Sequence, residues 1–325
     1  MFEVKAALFD GERIWDGAAV VVEGGAIASV RECNPAECEG GLLMPGLVDA
    51  HTHMGSMSHV RAMLRSGVTA TCDVSASRAL VESSEHLEIV PSAGMAMGVV
   101  VSPRAFVEEA VSNGARYIKV LLFNALSIGK PALRGIVTAA HEEGLKVAVH
   151  ATELATVRQA VSAGADVLLH VPMKEAFSAD LAKTIAAQGM AVAPTLVMMD
   201  TFAHSGRNGY KPEHYRNAER AVALLRDSGV SILAATDANP GNFAPAVGYG
   251  DTLHREMRLL SKAGLSPAEV LAAATSRPAK VFGLRAGRVA PGEPATMLLA
   301  DAALEGGVVD IKRVENVWVK GERLQ

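Results

Sequence analysis

The sequence predicts an α/β chain: a closed eight-stranded (β/α)8 barrel of the TIM type, joined to a small β-sandwich built from both chain ends. Two observations carry this. Between about Pro45 and Arg285, short apolar runs alternate with helix-like stretches, the pattern of repeated βα units around a parallel sheet. Residues 1–45 and 286–325 instead read as short strands broken by turns.

At the N-terminal end the expected strands are Val4–Phe9, Ala18–Val22 and Ala26–Val30, separated by Asp10-Gly11 and Glu23-Gly24-Gly25. Ala295–Ala300 and Val314–Val319 answer them at the other end, with Lys320-Gly321 as a turn. Neither end can bury a core alone, so the two are expected to pair and flank a barrel formed by residues 46–285. The eight barrel runs are Gly46–Ala50, Ala70–Val74, Ala96–Val101, Tyr117–Leu122, Lys146–Val149, Asp166–Leu169, Ala191–Leu196 and Ser231–Ala235. Helical spacing of apolar residues falls in Ser102–Asn113, Lys130–Glu143, Thr152–Ala163, Ser178–Gln188 and Glu213–Asp227. Ser266-Pro267-Ala268-Glu269 has the form of a capping box with proline at the first helical position, and a last short helix around Pro278–Phe282 stops at Gly283. A doubly wound open sheet is the rival, but no Gly-rich phosphate loop follows the first strand.

Half of the residues are hydrophobic and 20% charged, enough apolar material for a large core. With a net charge of −4 and both signs spread along the chain, there is no basic stripe for nucleic acid and no polybasic tail for lipid. Met1–Lys5 lacks a signal-peptide pattern, and no apolar run approaches the roughly 18 residues of a membrane span. Three cysteines, Cys33, Cys38 and Cys72, are too few and too odd for a disulfide framework, although Cys33 and Cys38 are spaced so that a zinc pair is an alternative to two ordinary loop residues. The expectation is a soluble, cytoplasmic protein acting on a small molecule.

Of ten histidines, four are singled out by position. His51 and His53 follow the first strand, His150 ends the fifth and His170 ends the sixth, where barrel enzymes place their chemistry. In His51-Thr52-His53, an extended chain sends both imidazoles to one side, so that one metal can be gripped by two nitrogens. Lys119, amid Ile118, Val120, Leu121 and Leu122, would be costly to bury charged and unpaired, unless it snorkels to solvent or to a carboxylate. Asp237 follows the eighth run.

Met44-Pro45-Gly46-Leu47-Val48-Asp49-Ala50-His51-Thr52-His53 resembles the entry motif of the amidohydrolase superfamily. The likeness extends to Tyr117-Ile118-Lys119-Val120, Val149-His150-Ala151, Ala193-Pro194-Thr195-Leu196 and Thr236-Asp237-Ala238-Asn239-Pro240, and is nearest to imidazolonepropionase-like and prolidase-like members. It implies a binuclear metal hydrolase. His51, His53 and Asp237 would hold one divalent ion, His150 and His170 the other, both zinc, with Lys119 as a carbon dioxide-derived carbamate and one hydroxide shared. Asp237 would accept the proton of the attacking hydroxide and deliver it to the leaving group of an amide.

Glu153 gives His150-Ala151-Thr152-Glu153 the look of a deaminase HxxE motif, but those enzymes generally use one metal without the lysine, so Glu153 is expected to start a helix or to support a metal ligand from behind. Alternatives on the same ligands are a cyclic amide, lactone or phosphoester hydrolase, a mononuclear deaminase or imidazolonepropionase-like enzyme, or a non-catalytic assembly protein. For substrate contacts, the stretch Asp200–Asn217 reads as a mobile lid whose His204, Arg207, Tyr210 and Tyr215 are candidates, with Asn239 and Asn124 beyond strand ends. The compact segment between His53 and Lys119 points to an open mouth, or to a lid supplied by a partner subunit in a homo-oligomer.

Overall fold

The structure is a computed structural model, described for residues 1–123, 128–242 and 244–324. The N-terminal strands are β1 (Phe2–Phe9), β2 (Ile14–Glu23), β3 (Ala26–Glu32) and β4 (Leu42–Pro45). Barrel strands follow as β5 (Leu47–Thr52), β6 (Val68–Asp73), β7 (Glu88–Pro91), β8 (Met95–Ala96), β9 (Tyr117–Leu122), β10 (Lys146–Ala151), β11 (Val167–Leu169) and β12 (Ala191–Ala193). The chain returns in β13 (Met297–Ala303), β14 (Asp310–Val319) and β15 (Glu322–Arg323). The helices are α1 (Met57–Arg65), α2 (Arg78–Ser83), α3 (Pro103–Ser112), α4 (Lys130–Glu142), α5 (Leu154–Ala163), α6 (Ala179–Ala187), α7 (Leu196–Ser205), α8 (Tyr215–Asp227), α9 (Thr252–Lys262), α10 (Pro267–Ala273) and α11 (Ser276–Phe282).

The two chain ends pair as expected, in one seven-stranded sheet ordered β15-β14-β13-β4-β1-β2-β3. Its own core gathers Leu8, Val20, Ile27, Leu43, Met297 and Trp318. The middle is the (β/α)8 barrel. β5-β6-β7 and β8-β9-β10-β11-β12 form its two ladders, all parallel. β7 and β8 act as one broken strand, since Pro91 O accepts from Arg116 N just before β9 while Met95 pairs with Lys119. Residues 231–238 close the ring: Leu233 N donates to Val192 O on one side, and Ala50 N to Ala234 O and Asp237 N to His51 O on the other.

Alternation along these strands separates two cores. Val48, Ala50, Ala70, Cys72, Val90, Tyr117, Ala148, Val167, Leu169, Ala193, Leu233 and Ala235 face inward. Leu47, Val68, Ile118, Val120, Val147, Val149, Leu168, Val192, Ile232 and Ala234 face the helices. Both faces are covered, as a parallel sheet requires. Ala279, Phe282 and Leu284 from α11 and just beyond it join the inward set and plug the floor. Gly46 has no room for a side chain: an added Cβ would lie 2.1 Å from Thr69 Oγ1.

Two of the expected strands are corrected. The third is β7 with β8, not Ala96–Val101; Val99 and Val101 in that run are 91% and 92% exposed. The seventh ends at Ala193, because Thr195 turns into the left-handed region (φ 50°) and Leu196 starts α7. Much of the expected lid is therefore helix, with short 3-10 turns at Arg207–Gly209 and Pro212–His214 bridging α7 to α8. The Ser266–Glu269 capping box is present, with Ser266 N donating to Glu269 Oε2 over 2.8 Å. Among the described residues no helix is long and apolar enough to cross a membrane.

Candidate metal centre

The barrel brings the six expected groups together from around its wall: His51 in β5 and His53 just past it, Lys119 in β9, His150 in β10, His170 after β11 and Asp237 near the end of the closing segment. Asp237 Oδ1 lies 3.3 Å from His51 Nε2 and 3.1 Å from His53 Nε2. Lys119 Nζ lies 3.2 Å from His51 Nε2. The His170 ring stands edge-on to those of His150 and His51, with centroids 4.3 and 5.6 Å away. His51, His170 and Asp237 each offer a ligand atom, all within 4.8 Å of one another.

Backbone irregularities aim these side chains. β5 carries one extra residue between Asp49 and Thr52 relative to β6, a bulge at the point where the two histidines leave the strand. His170 follows the inward-facing Leu169, so straight continuation would turn it outward; its φ of 70° redirects it into the mouth. Asp237 has φ 56° and Thr195 φ 50°. Each such residue costs on the order of 1–3 kcal/mol, and three of them ring one mouth.

Burial removes the charges that would repel one another. Desolvation, reinforced by Lys119 and neighbouring histidines, holds His51 and His170 well below the usual imidazole range and His150 down to about 3. Lys119 is pushed down to about 7 by its own burial, against the pull of Asp237. Neutral imidazole is the form that ligates metal ions. Among the described residues, His51 Nδ1, His150 Nε2 and His170 Nε2 are buried with no hydrogen-bond partner. Leaving a buried polar atom so costs about 1–3 kcal/mol. The orphaned Nε2 atoms of His150 and His170, with His51 Nε2 beside the Asp237 carboxylate, are a donor set that fits a divalent ion.

Two supporting carboxylates, Asp49 and Asp73, stand outside the site residues expected from sequence. Asp49, fully buried, accepts from Thr236 N (3.0 Å), Thr236 Oγ1 (2.6 Å) and His51 N (3.2 Å), stapling the first barrel strand to the last. Burial pushes its carboxyl up to about 7, offset by the Thr236 bonds. Asp73 accepts from Thr52 Oγ1, Met54 N, Ser75 N and Ala76 N, and Ser75 Oγ meets His53 Nδ1 at 3.0 Å. Tyr249 donates its hydroxyl to His53 O over 2.6 Å. The bonds that place them in the site, Asp49 to Thr236 and Asp73 to Thr52, span 187 and 21 residues.

The substrate candidates divide. Tyr210 reaches the rim: Glu153 and Thr152, both just past β10, act on its hydroxyl electrostatically, and Lys174 Nζ sits 4.6 Å over its ring. Asn239 is occupied, donating to Asp237 O and Pro245 O and accepting from Gly241 N, so it holds the turn after Asp237. His204 is exposed and tied to Asp200 one helical turn back. Tyr215 is half-buried at the start of α8, and Arg207 lies in a 3-10 turn. Asn124 lies outside the described residues. Glu153 is the N-cap of α5. Cys33 and Cys38 place their sulfurs 3.8 Å apart as free thiols.

With this geometry in place, sequence comparison is decisive: the profile of the Amidohydrolase family matches residues 42–324. The chain belongs to the amidohydrolase family. It is a hydrolase of carbon–nitrogen bonds, in a family that acts on small molecules and typically binds divalent metals. Similar curated proteins are the imidazolonepropionases of Paracoccus denitrificans (strain Pd 1222), 24% identical over 90% of this chain and 89% of that one, and of Streptomyces coelicolor, 25% identical over 94% and 92%. Among solved structures, a Xaa-Pro dipeptidase with bound methionine superposes with a TM-score of 0.83 at 18% identity, covering 99% of both chains. A prolidase complexed with N-methylphosphonate-L-proline gives 0.76 at 20% identity, covering 99% of this chain and 100% of that one. At such identities the structures speak for the fold.

Proposed function

We propose that this amidohydrolase cleaves an amide bond in a dipeptide, an N-acyl amino acid or a carbamate-like small molecule, using two zinc ions. His51, His53 and Asp237 would hold one ion, His150 and His170 the other, with Lys119 shared as a carbamate. The observation that carries this reading is Lys119, a fully buried amine 3.2 Å from His51 Nε2 whose protonation burial opposes down to about pH 7. A neutral amine adds carbon dioxide with release of one proton, and the resulting carbamate oxygens are hard, anionic donors of the kind a second ion needs. Bound divalent ions would supply a water activated near neutral pH and a Lewis acid for the scissile carbonyl.

Asp237 performs the proton transfers. Its Oδ1, beside both His51 and His53, takes the proton of the attacking water and returns it to the leaving nitrogen. Tyr210, with Lys174 over its ring, offers a polar contact at the rim for a substrate carboxylate. The names of the prolidase-like neighbours support an amino-acid amide as substrate. Reduced Cys33, Cys38 and Cys72 suit a cytoplasmic setting.

A mononuclear imidazolonepropionase-like enzyme is the second reading, favoured by the compact His51–His170–Asp237 group and by the sequence relatives. Metal content per chain decides between them, measured on wild type and Lys119→Ala produced with zinc and bicarbonate. The proposal expects two zinc ions, falling to one or none in the variant; one ion in both proteins overturns it in favour of the mononuclear reading. A substrate panel of dipeptides, N-acyl amino acids, lactones and phosphoesters then tests the bond.

A further inference from the structure

We propose that Glu256, on α9, is a positioning residue for the metal centre, acting through the N-terminus of α7 and Thr195 on His170. This rests on the metal-centre reading above.

The argument starts from a missing cap. A helix leaves its first amides without partners, and a threonine at the N-cap normally answers them with its hydroxyl. α7 begins at Leu196 after Thr195, yet Thr195 makes no such bond, because its Oγ1 is 2.7 Å from His170 Nδ1. The first turn of α7, Leu196 to Met199, is buried, so water does not answer those amides.

Glu256 does. Its carboxylate, fully buried, accepts Leu196 N over 2.9 Å and Val197 N over 2.7 Å from sixty residues further along the chain. Arg255, the preceding residue, pairs with Asp200 one turn into α7, so α9 grips the helix at two points. With its amides satisfied from outside, α7 leaves the Thr195 hydroxyl free for the histidine. The left-handed φ of 50° at Thr195 and of 70° at His170 are the two strained backbone positions this arrangement holds in place.

A hydrogen bond on one imidazole nitrogen fixes the ring plane and the tautomer, and thereby which lone pair the other nitrogen presents. His170 Nε2, the nitrogen opposite the Thr195 bond, is buried without a partner among the described residues. The chain Glu256, α7 N-terminus, Thr195 and His170 thus aims that lone pair into the site.

The experiment uses the full-length protein loaded with Zn2+ and, separately, with Co2+. Glu256→Gln keeps the size of the side chain but leaves one helix amide without an acceptor. Thr195→Val keeps the β-branch and removes the hydroxyl, while Thr195→Ser restores it. Zinc affinity is measured by competition with a chromophoric chelator, and ligand geometry at the site by the Co2+ visible spectrum. Glu256→Gln and Thr195→Val are each expected to weaken the binding of one ion by about 10–100-fold and to shift the Co2+ bands. Thr195→Ser should match wild type, and the double variant should be no worse than the weaker single, because both act on one chain of contacts.

Wild-type affinity and spectrum in Glu256→Gln, with only its melting temperature lowered, would reduce Glu256 to a helix cap and overturn the inference. If that variant does not fold, wild-type behaviour of Thr195→Val overturns it instead. Absence of any metal binding by wild type is a different failure, since it removes the metal-centre reading itself.

Discussion

The two ends of the barrel are made by the same strands under the same alternation, yet they are built to opposite rules. At the floor, Tyr117 and the α11 side chains Ala279 and Phe282 pack against Val48, Val167 and Leu233, with the Tyr117 and Phe282 rings edge-on at 5.4 Å. At the mouth, His170 and Asp237 with left-handed backbone meet His51, His150 and the Lys119 amine, and among the described residues His150 Nε2 and His170 Nε2 are buried without partners. The floor lowers the free energy of the fold, and the mouth raises it. The difference teaches that stability and chemistry are separable here along a single strand, within two or three residues of each other.

Three substitutions or titrations test that separation. Asp237→Asn, at the mouth, should cut kcat by roughly 10²–10⁴-fold while leaving the unfolding transition where it was; near-normal turnover by the variant would remove Asp237 from the proton transfers. Phe282→Ala, at the floor, should cost about 3–5 kcal/mol in denaturant unfolding, with kcat per folded molecule unchanged; a comparable loss of kcat would show the two ends to be coupled. The smallest effect is a pH dependence. The proposed carbamate forms only on a deprotonated Lys119, and burial pushes that amine down to about 7 from the ordinary 10.5. Reconstitution of the metal-free protein with zinc and bicarbonate should therefore be lost below about pH 7 and complete well short of pH 10.5. Uptake with a midpoint near the ordinary lysine value would mean that the amine is not held in this pocket.

The sequence was readable where a residue's role depends on its neighbours. His51, His53, His150, His170 and Asp237 could be placed because each follows an apolar run that forms or closes the barrel wall. The third strand was hidden because Glu88-Ile89-Val90-Pro91 is short, opens on a charge and ends on a proline, while Ala96–Val101 is the stronger apolar run. α7 was hidden because its cap is Glu256 and its own threonine serves a histidine. Asp49 lies inside the recognised motif, but its partner Thr236 is 187 residues away, and no window along the chain spans that distance.

That distance bears on how the protein is made. The Asp49–Thr236 staple and the bonds from Ala50 and Asp237 join the first barrel strand to the closing segment. A chain still emerging from the ribosome, N-terminal end first, carries His51 and His53 long before Asp237 exists to meet them. Five of the six proposed ligands thus wait with the ring open, and the last segment to enter the wall also brings the sixth, the Asp237 carboxylate. Closure of the barrel and completion of the proposed metal site are one event, so a chain broken off before Asp237 cannot hold the full proposed ligand set.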